Sequence, residues 1–92
     1  MKESTLIEAI ETKHLIEFRY KSKKRKAEVY CLGVGADGSL LCRCYETPTG
    51  GWKLFKVEQM ESVMLLNQRF YLARSGYNRN GDKSMTEVLK QV

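Results

Sequence analysis

The chain has 92 residues and lacks any long apolar run, and this absence excludes a membrane-spanning helix. No stretch approaches the ~20 consecutive apolar residues that such a helix needs. Residues 1–6 also lack the apolar stretch and small-residue cleavage site of a secretory signal. A composition that is 42% hydrophobic and 29% charged is ordinary for a globular protein. We therefore expect one domain over residues 1–92, located in the cytoplasm and without a membrane partner.

Residues typical of catalytic and metal sites are scarce. His14 is the single histidine, and the cysteines are Cys31, Cys42 and Cys44. An odd number of cysteines, two of them separated by one residue, fits neither a disulfide framework nor a zinc site, so buried reduced thiols are expected. Residues 33–35 have two glycines but lack the rest of a phosphate-binding loop. The sequence predicts a non-enzymatic protein with no catalytic residue, metal or cofactor.

Acidic residues are fewer than basic ones, and the excess is uneven. Sixteen Lys and Arg against eleven Asp and Glu give a formal charge of +5. One run contains Lys21, Lys23, Lys24, Arg25 and Lys26. Such a run attracts polyanions, which makes nucleic acid or a nucleotide-like anion a candidate partner. The alternative is a solvated hairpin tip whose lysines protect a sheet edge.

Two capping boxes predict a short helix near each end of the chain. Thr5 and Glu8 have the spacing in which a hydroxyl and a carboxylate satisfy reciprocal backbone donors, so a helix is expected to begin at Thr5. Ser84 and Glu87 repeat this spacing and predict a terminal helix over residues 84–92.

Alternation of apolar and polar residues predicts strands between these helices. The predicted strands cover residues 16–20, 27–31, 39–46, 52–57 and 62–66. Asp37-Gly38 is a hairpin signal, and Asp82 is interpreted as another turn residue. The apolar run 63–66 is expected to be covered on both faces. Together these patterns predict an α+β, mainly β fold, a strongly bent five-stranded antiparallel sheet or partly open barrel with a short helix at each end.

Fragments spread along the chain resemble the WYL domain family of bacteria and their phages. They are Ala9-Ile10, Ile16, Tyr20, Arg25, Glu28, Gly33, Gly38, Leu41, Arg43, Tyr45, Gly51-Trp52-Lys53-Leu54-Phe55, Phe70, Arg74, Gly76, Tyr77 and Asn78. The resemblance implies an SH3-like, Sm-like core in a small, stand-alone, divergent member. Val29 stands where family members commonly have proline, and the Trp-Tyr-Leu tripeptide is absent around residues 40–42. The helix-turn-helix of many relatives has no counterpart, so direct reading of the DNA major groove is not expected.

The resemblance also implies a basic groove that senses a ligand or binds nucleic acid, in bacterial or phage transcriptional regulation or defence. The candidate binding residues are Arg25, Arg43, Tyr45, Trp52, Lys53, Arg74 and Tyr77. Guanidinium groups form bidentate hydrogen bonds with phosphate, and aromatic rings stack on bases. These residue types therefore suit a nucleic acid or a nucleotide.

Each candidate also has a structural interpretation. Trp52 and Phe55 would fill the core, and Arg43 would form an ion pair with Glu28 or Glu58. Tyr77 would close the carboxy-terminal turn. The alternative function is a protein-interaction module, a homodimer or a mixed oligomer with other WYL-domain proteins, assembled through an exposed sheet edge or the predicted terminal helix.

Overall fold

A computed structural model describes residues 2–92, which form one helix, six strands and a short 3₁₀ turn, Val57–Gln59. The elements are α1 (Lys2–Thr12), β1 (His14–Tyr20), β2 (Lys23–Val34), β3 (Leu40–Glu46), β4 (Gly51–Lys56), β5 (Glu61–Arg69) and β6 (Glu87–Gln91). The mainly β fold with an antiparallel sheet is confirmed. The described chain has one more strand and one fewer helix than predicted. None of its helices is long and apolar enough to cross a membrane.

The sheet is built around β2, which is long enough to pair with three other strands. The main order is β4-β3-β2-β1-β5, and every pairing is antiparallel. The first half of β2 pairs with β1, whereas residues 31–34 pair with β6. Within residues 2–92 no pairing joins β4 to β5, so the sheet stays open as predicted.

The lysine-rich run lies mostly on a strand. Only Lys21 and Ser22 form the turn between β1 and β2, and both have left-handed φ values, 51° and 63°. A two-residue turn of this kind matches the twist of the flanking strands. The rest of the run belongs to β2, so the lysine-rich turn is shorter than predicted, and the run lies at the tip of the hairpin of β1 and β2. By contrast, Gly38 has φ 84° in the turn between β2 and β3, where the hairpin was predicted.

The first helix is confirmed, but its predicted start is wrong. It begins at Lys2, so Thr5 lies inside it and does not cap it. The start is stabilised from elsewhere in the chain, because Lys2 Nζ donates hydrogen bonds to the carbonyls of Val57 (2.9 Å) and Glu58 (3.3 Å). The buried face of the helix consists of Leu6, Ala9 and Ile10. Tertiary packing therefore determines this terminus more than a local capping pattern does.

The predicted terminal helix is also wrong, since the end of the chain forms β6. Ser84 N–H donates to Asp82 Oδ1 (2.9 Å) in a side-chain turn, and from Thr86 onward the backbone bonds to β2 in place of a helix. Val88 lies opposite Gly33 in the ladder with β2, and Leu89 remains 50% exposed. The open half of β2 offers backbone hydrogen bonds, and these outweigh the weak helix pattern.

Hydrophobic residues form one cluster on each face of the sheet. The larger lies beneath α1 and contains Leu6, Ala9, Ile10, Ile16, Phe18, Tyr20, Ala27, Val29, Leu32, Cys42, Cys44, Phe55, Val57 and Met60. The second cluster, on the opposite face, has Leu15, Tyr30 and Phe70 at its centre, with Trp52 and Tyr77 packed against it.

The edge strand β5 departs from the predicted burial on both faces. Val63 and Leu65 pack against the larger cluster, whereas Met64 between them is 53% exposed. An edge strand of an open sheet is covered less completely than a central one, so the continuous apolar run is not buried throughout.

Candidate functional site: a pocket beside the second cluster

A β-bulge in β2 brings two consecutive side chains to the same face. Val29 is opposite Cys44 on β3, while Cys31 is opposite the next residue back along β3, Arg43. An advance of two residues along β2 therefore corresponds to an advance of one residue along β3. Tyr30 enters the second cluster, and Cys31 lines a pocket next to it.

The pocket has a volume of about 340 Å³ and lies between the sheet and the segment that follows β5. Its lining residues are Cys31, Arg43, Trp52, Gly76, Tyr77, Asn78, Gly81, Asp82 and Lys83. We call residues 74–85, which supply most of one wall, the strap. A volume near the lower end of the range for ligand pockets suits a small molecule.

Arg43 is tied to the strap by a bidentate ion pair. Its Nε lies 2.7 Å from Asp82 Oδ2 and its Nη2 lies 3.1 Å from Asp82 Oδ1, while Nη2 also donates to Ser84 Oγ at 3.2 Å. The predicted pairing of Arg43 with Glu28 or Glu58 is therefore wrong. This contact lowers the pKa of Asp82 below its usual value and raises the pKa of Arg43.

A second arginine attaches the strap to the buried carboxylate of Glu28. Arg74 Nη2 lies 2.9 Å from Glu28 Oε2, and Tyr30 OH donates to Glu28 Oε1 at 2.6 Å. The guanidinium carbon of Arg74 also lies 4.5 Å from the ring centroid of Tyr45. Burial, followed by the hydrogen bond to Glu28, raises the pKa of Tyr30. Arg74 thus makes strong contacts within the protein and does not line the pocket.

The aromatic residues both hold the strap and form pocket wall. Trp52 Nε1 donates to the carbonyl of Ser75 (2.9 Å), and Tyr77 OH donates to the carbonyl of Val92 (2.6 Å), which fits the predicted role of Tyr77 at the end of the chain. Their rings are nearly parallel, with 16° between planes and centroids 6.4 Å apart. Gly76 has φ 92°, and a Cβ there would lie 3.0 Å from Trp52 Nε1, so glycine permits this close approach.

The seven predicted site residues are divided between the two faces of the sheet. Arg43, Trp52 and Tyr77 line the pocket, with Tyr45 and Arg74 next to them.

The other two lie away from the pocket. Arg25 Nη1 is 3.2 Å from Glu46 Oε2, and its guanidinium lies over the ring of Phe55 in the larger cluster. Lys53 alternates with Trp52 along β4 and is exposed. The structure therefore does not bring all four predicted cations into one groove.

Two strap residues, Arg74 and Tyr77, are among the candidates predicted from the sequence, but the contribution of Asp82 was missed. Asp82 was interpreted only as a turn residue, although it contacts Arg43 across 39 positions of sequence. No local pattern signals such a pairing. The clustering of Gly76, Asn78 and Gly81 with Tyr77 was the available sign that this segment forms a shaped wall.

The three cysteines are buried free thiols, and Cys31 lines the pocket. Burial raises the pKa of Cys31 to about 11. Cys42 and Cys44 are also buried and unoxidised, with their Sγ atoms 3.4 Å apart, so the prediction of buried reduced thiols is confirmed. A protonated thiol is a weak nucleophile. Residues 2–92 contain no group of three or more side chains arranged to hold a metal ion.

Comparison with known proteins gives a structural likeness and no sequence match. No family model and no curated protein sequence matches the chain. Among solved structures, the chain is similar to proteasome accessory factor B/C (PafBC) of Arthrobacter aurescens, with a TM-score of 0.73 and 19% identity. The two share a fold. The match covers 84% of this chain and 13% of PafBC, so the likeness concerns a small part of that protein and supports a WYL-like fold.

Proposed function

We propose that this chain is a non-enzymatic, WYL-like ligand-binding module, and that its pocket binds a small oxyanion attached to a planar ring. The observation that carries the proposal is the combination of Arg43, Lys83, Trp52 and Tyr77 around a single cavity of about 340 Å³. A guanidinium matches the geometry of phosphate or carboxylate, and aromatic side chains offer faces or edges to a ring. Nucleotides have both features.

The hydrogen bonds of Arg43 leave room for a ligand. Its Nε and Nη2 atoms donate to Asp82 and Ser84, whereas Nη1 donates to no group among residues 2–92. Lys83 adds a second cation to the pocket lining, against the single carboxylate of Asp82. The pocket therefore has a positive excess that favours an anion.

The cellular setting is part of the proposal. PafBC is named an accessory factor of the proteasome, and the shared fold is compatible with a regulatory role for this chain. We place such a role in the cytoplasm of a bacterium or an infected host, where ligand binding would affect transcription or defence through an associated protein.

Fluorescence of Trp52, the single tryptophan, tests the pocket directly. We expect saturable quenching by adenosine monophosphate and little response to adenosine, because only the former has an oxyanion. Arg43→Gln should weaken binding about tenfold or more, since hydrogen bonds to charged groups contribute ~1.5–3 kcal/mol. The control is Lys56→Gln, which removes an exposed positive charge from β4 outside the pocket. Equal responses to the two compounds, or unchanged affinity in Arg43→Gln, would contradict the proposal.

A second candidate function is binding of a nucleic-acid backbone by the hairpin of β1 and β2. Arg19, Lys21, Lys23 and Lys26 are on this hairpin and form no ion pair within residues 2–92. The three predicted arginines, by contrast, each have a carboxylate partner. Unpaired cations are available to phosphates, so this surface suits a polyanion better than the predicted groove does.

A further inference from the structure

Asp82 already occupies the position that an anionic ligand would take in the pocket. Its two oxygens meet Nε and Nη2 of Arg43 side on, at 2.7 and 3.1 Å. This is the arrangement in which a guanidinium holds a free carboxylate or two oxygens of a phosphate. The side chain of Asp82 is only 8% exposed, and both partners line the pocket.

We propose that Asp82 is a built-in competitor of the ligand, and that a carboxylate- or phosphate-bearing ligand binds fully only by displacing Asp82 from Arg43. This inference rests on the proposed function, because it concerns the same pocket. It specifies the ligand as one that presents two oxygens to the Nε and Nη2 side of the guanidinium. A neutral ligand offers Arg43 no compensation for the lost ion pair and is therefore rejected.

Displacement of Asp82 changes the strap, because the same carboxylate organises the backbone beyond it. Oδ1 accepts hydrogen bonds from both Arg43 Nη2 and Ser84 N–H, so rotation of the carboxylate away from Arg43 also moves the acceptor of the Ser84 amide and weakens that contact. Met85 N–H donates to the Asp82 carbonyl (3.0 Å) in the same turn. Gly81, with φ 108°, immediately precedes this turn and tolerates large backbone changes.

The rearrangement ends where the strap joins the sheet. Thr86 N–H donates to the carbonyl of Val34 (2.7 Å), and Thr86 Oγ1 donates to the same carbonyl. Residues 82–85 can therefore loosen while β6 stays paired with β2. Ligand binding is thereby converted into a local change in residues 82–85 of the strap.

The affinity cost of this competition follows from the population of the displaced state. If that state makes up ~0.1–10% of the free protein, as is typical of minor conformers, the apparent affinity is reduced about ten- to a thousandfold. Removing the charge of Asp82 should raise the apparent affinity for the ligand at least about tenfold.

The chain offers a matched control. Asp37 Oδ1 accepts a hydrogen bond from Ser39 N–H (3.0 Å), as Asp82 Oδ1 does from Ser84 N–H, but Asp37 is exposed and does not line the pocket with Arg43. Asp37→Asn and Asp82→Asn therefore remove the same charge from the same type of turn. We expect adenosine monophosphate to bind Asp82→Asn about tenfold or more tightly than Asp37→Asn by Trp52 fluorescence.

Amide exchange in the unmodified protein gives a second measurement that does not depend on a variant. Adenosine monophosphate should accelerate exchange of the Ser84 and Met85 amides, observed by NMR, and leave Thr86 unchanged. Slower exchange at Ser84 and Met85 in the presence of the nucleotide would overturn the inference, even if Asp82→Asn failed to fold.

The outcomes separate this inference from the proposed function. If the nucleotide binds the unmodified protein but binds Asp82→Asn no more tightly than Asp37→Asn, the competitor role of Asp82 is refuted. The proposal that the pocket binds the nucleotide is then still supported. If Asp82→Asn alone binds, the competitor masks the site and the inference is supported. If no form of the protein binds the nucleotide, inorganic phosphate or acetate, both the pocket and the competitor are wrong.

Discussion

Glu28 is a buried carboxylate that joins the second cluster to the strap. It is 3% exposed and accepts hydrogen bonds from Tyr30 and from Arg74, whose side chain is 45% exposed. Arg74 N–H also donates to Tyr30 OH (3.2 Å), so these three residues form one network. A carboxylate in such a place is stable only while its partners remain, because an unpaired buried charge is costly.

The substitution Glu28→Gln should therefore destabilise the protein. The amide would keep an acceptor for Tyr30 but lose the charge that holds Arg74, and partial exposure of Arg74 limits the effect to about 1–2 kcal/mol in the free energy of unfolding. Urea denaturation followed by Trp52 fluorescence measures it. Glu58→Gln is the control, since the Glu58 side chain is exposed and forms no ion pair among residues 2–92. Equal stabilities of the two variants would contradict the role of Glu28.

At the scale of elements, β6 depends on a close approach that Gly33 allows. Gly33 lies opposite Val88, and a Cβ at Gly33 would collide with the carbonyl oxygen of Glu87 and with Met85 Sδ. The backbones of β2 and β6 are thus nearer to each other than a side chain at this position permits. The fold uses one glycine to attach its last strand.

Gly33→Ala should weaken the pairing of β6 with β2 and cost about 1–3 kcal/mol in the free energy of unfolding, because overpacking shifts the backbone. The amides of Thr86 and Val92, which donate to Val34 and Tyr30, should exchange faster by NMR. Gly51→Ala is the matched control, as the nearest atom to a Cβ there is Lys53 Cε at 3.9 Å. Unchanged protection in Gly33→Ala would show that β6 tolerates a wider spacing.

Some elements of the fold follow from local sequence patterns, and others depend on distant contacts. Strands β1 and β3 were predictable because alternating residues face a core on one side. The end of the chain was misassigned because Ser84 and Glu87 have helical capping spacing, whereas the pairing that forms β6 depends on Gly33, more than fifty positions earlier. The start of α1 was misplaced for the same reason, since Lys2 is held by carbonyls of residues 57 and 58.

The candidate site was predictable in residue type and only partly in arrangement. Arg43, Trp52 and Tyr77 were selected from the sequence and line one pocket. The carboxylate of Asp82, which pairs with Arg43, was missed because it lies on a distant segment with no local signal. A bulge in β2 also changes which residues share a face, so strict alternation would have placed Cys31 on the wrong side.

At the scale of the whole molecule, ion pairs decide which of the cations behind the net charge of +5 stay unpaired. Carboxylates pair with Arg25, Arg43 and Arg74, whereas four cations of the β1–β2 hairpin, Arg19, Lys21, Lys23 and Lys26, have no ion-pair partner among residues 2–92. Within this hairpin, Arg19 lies directly opposite Lys24, and Lys24 has Glu17 as its ion-pair partner. Like charges in this position destabilise a sheet, and a bound polyanion would relieve that cost.

The double variant Lys21→Gln with Lys23→Gln tests whether this charge serves nucleic-acid binding. We expect weaker binding of a labelled single-stranded DNA by fluorescence anisotropy, because two phosphate contacts are lost. The logarithmic dependence of affinity on salt should fall by about 1.4, or ~0.7 per contact. Thermal stability should stay constant or rise, since repulsion in the hairpin decreases.

A second double variant, Lys53→Gln with Lys56→Gln, removes the same net charge from exposed positions of β4. It should keep the full salt dependence if the hairpin is the contact surface. Equal losses in the two double variants would show that DNA responds only to net charge, and the hairpin would then be a solvated tip. A loss confined to the β4 variant would instead place the nucleic-acid contact on β4, the strand of the predicted site residue Lys53.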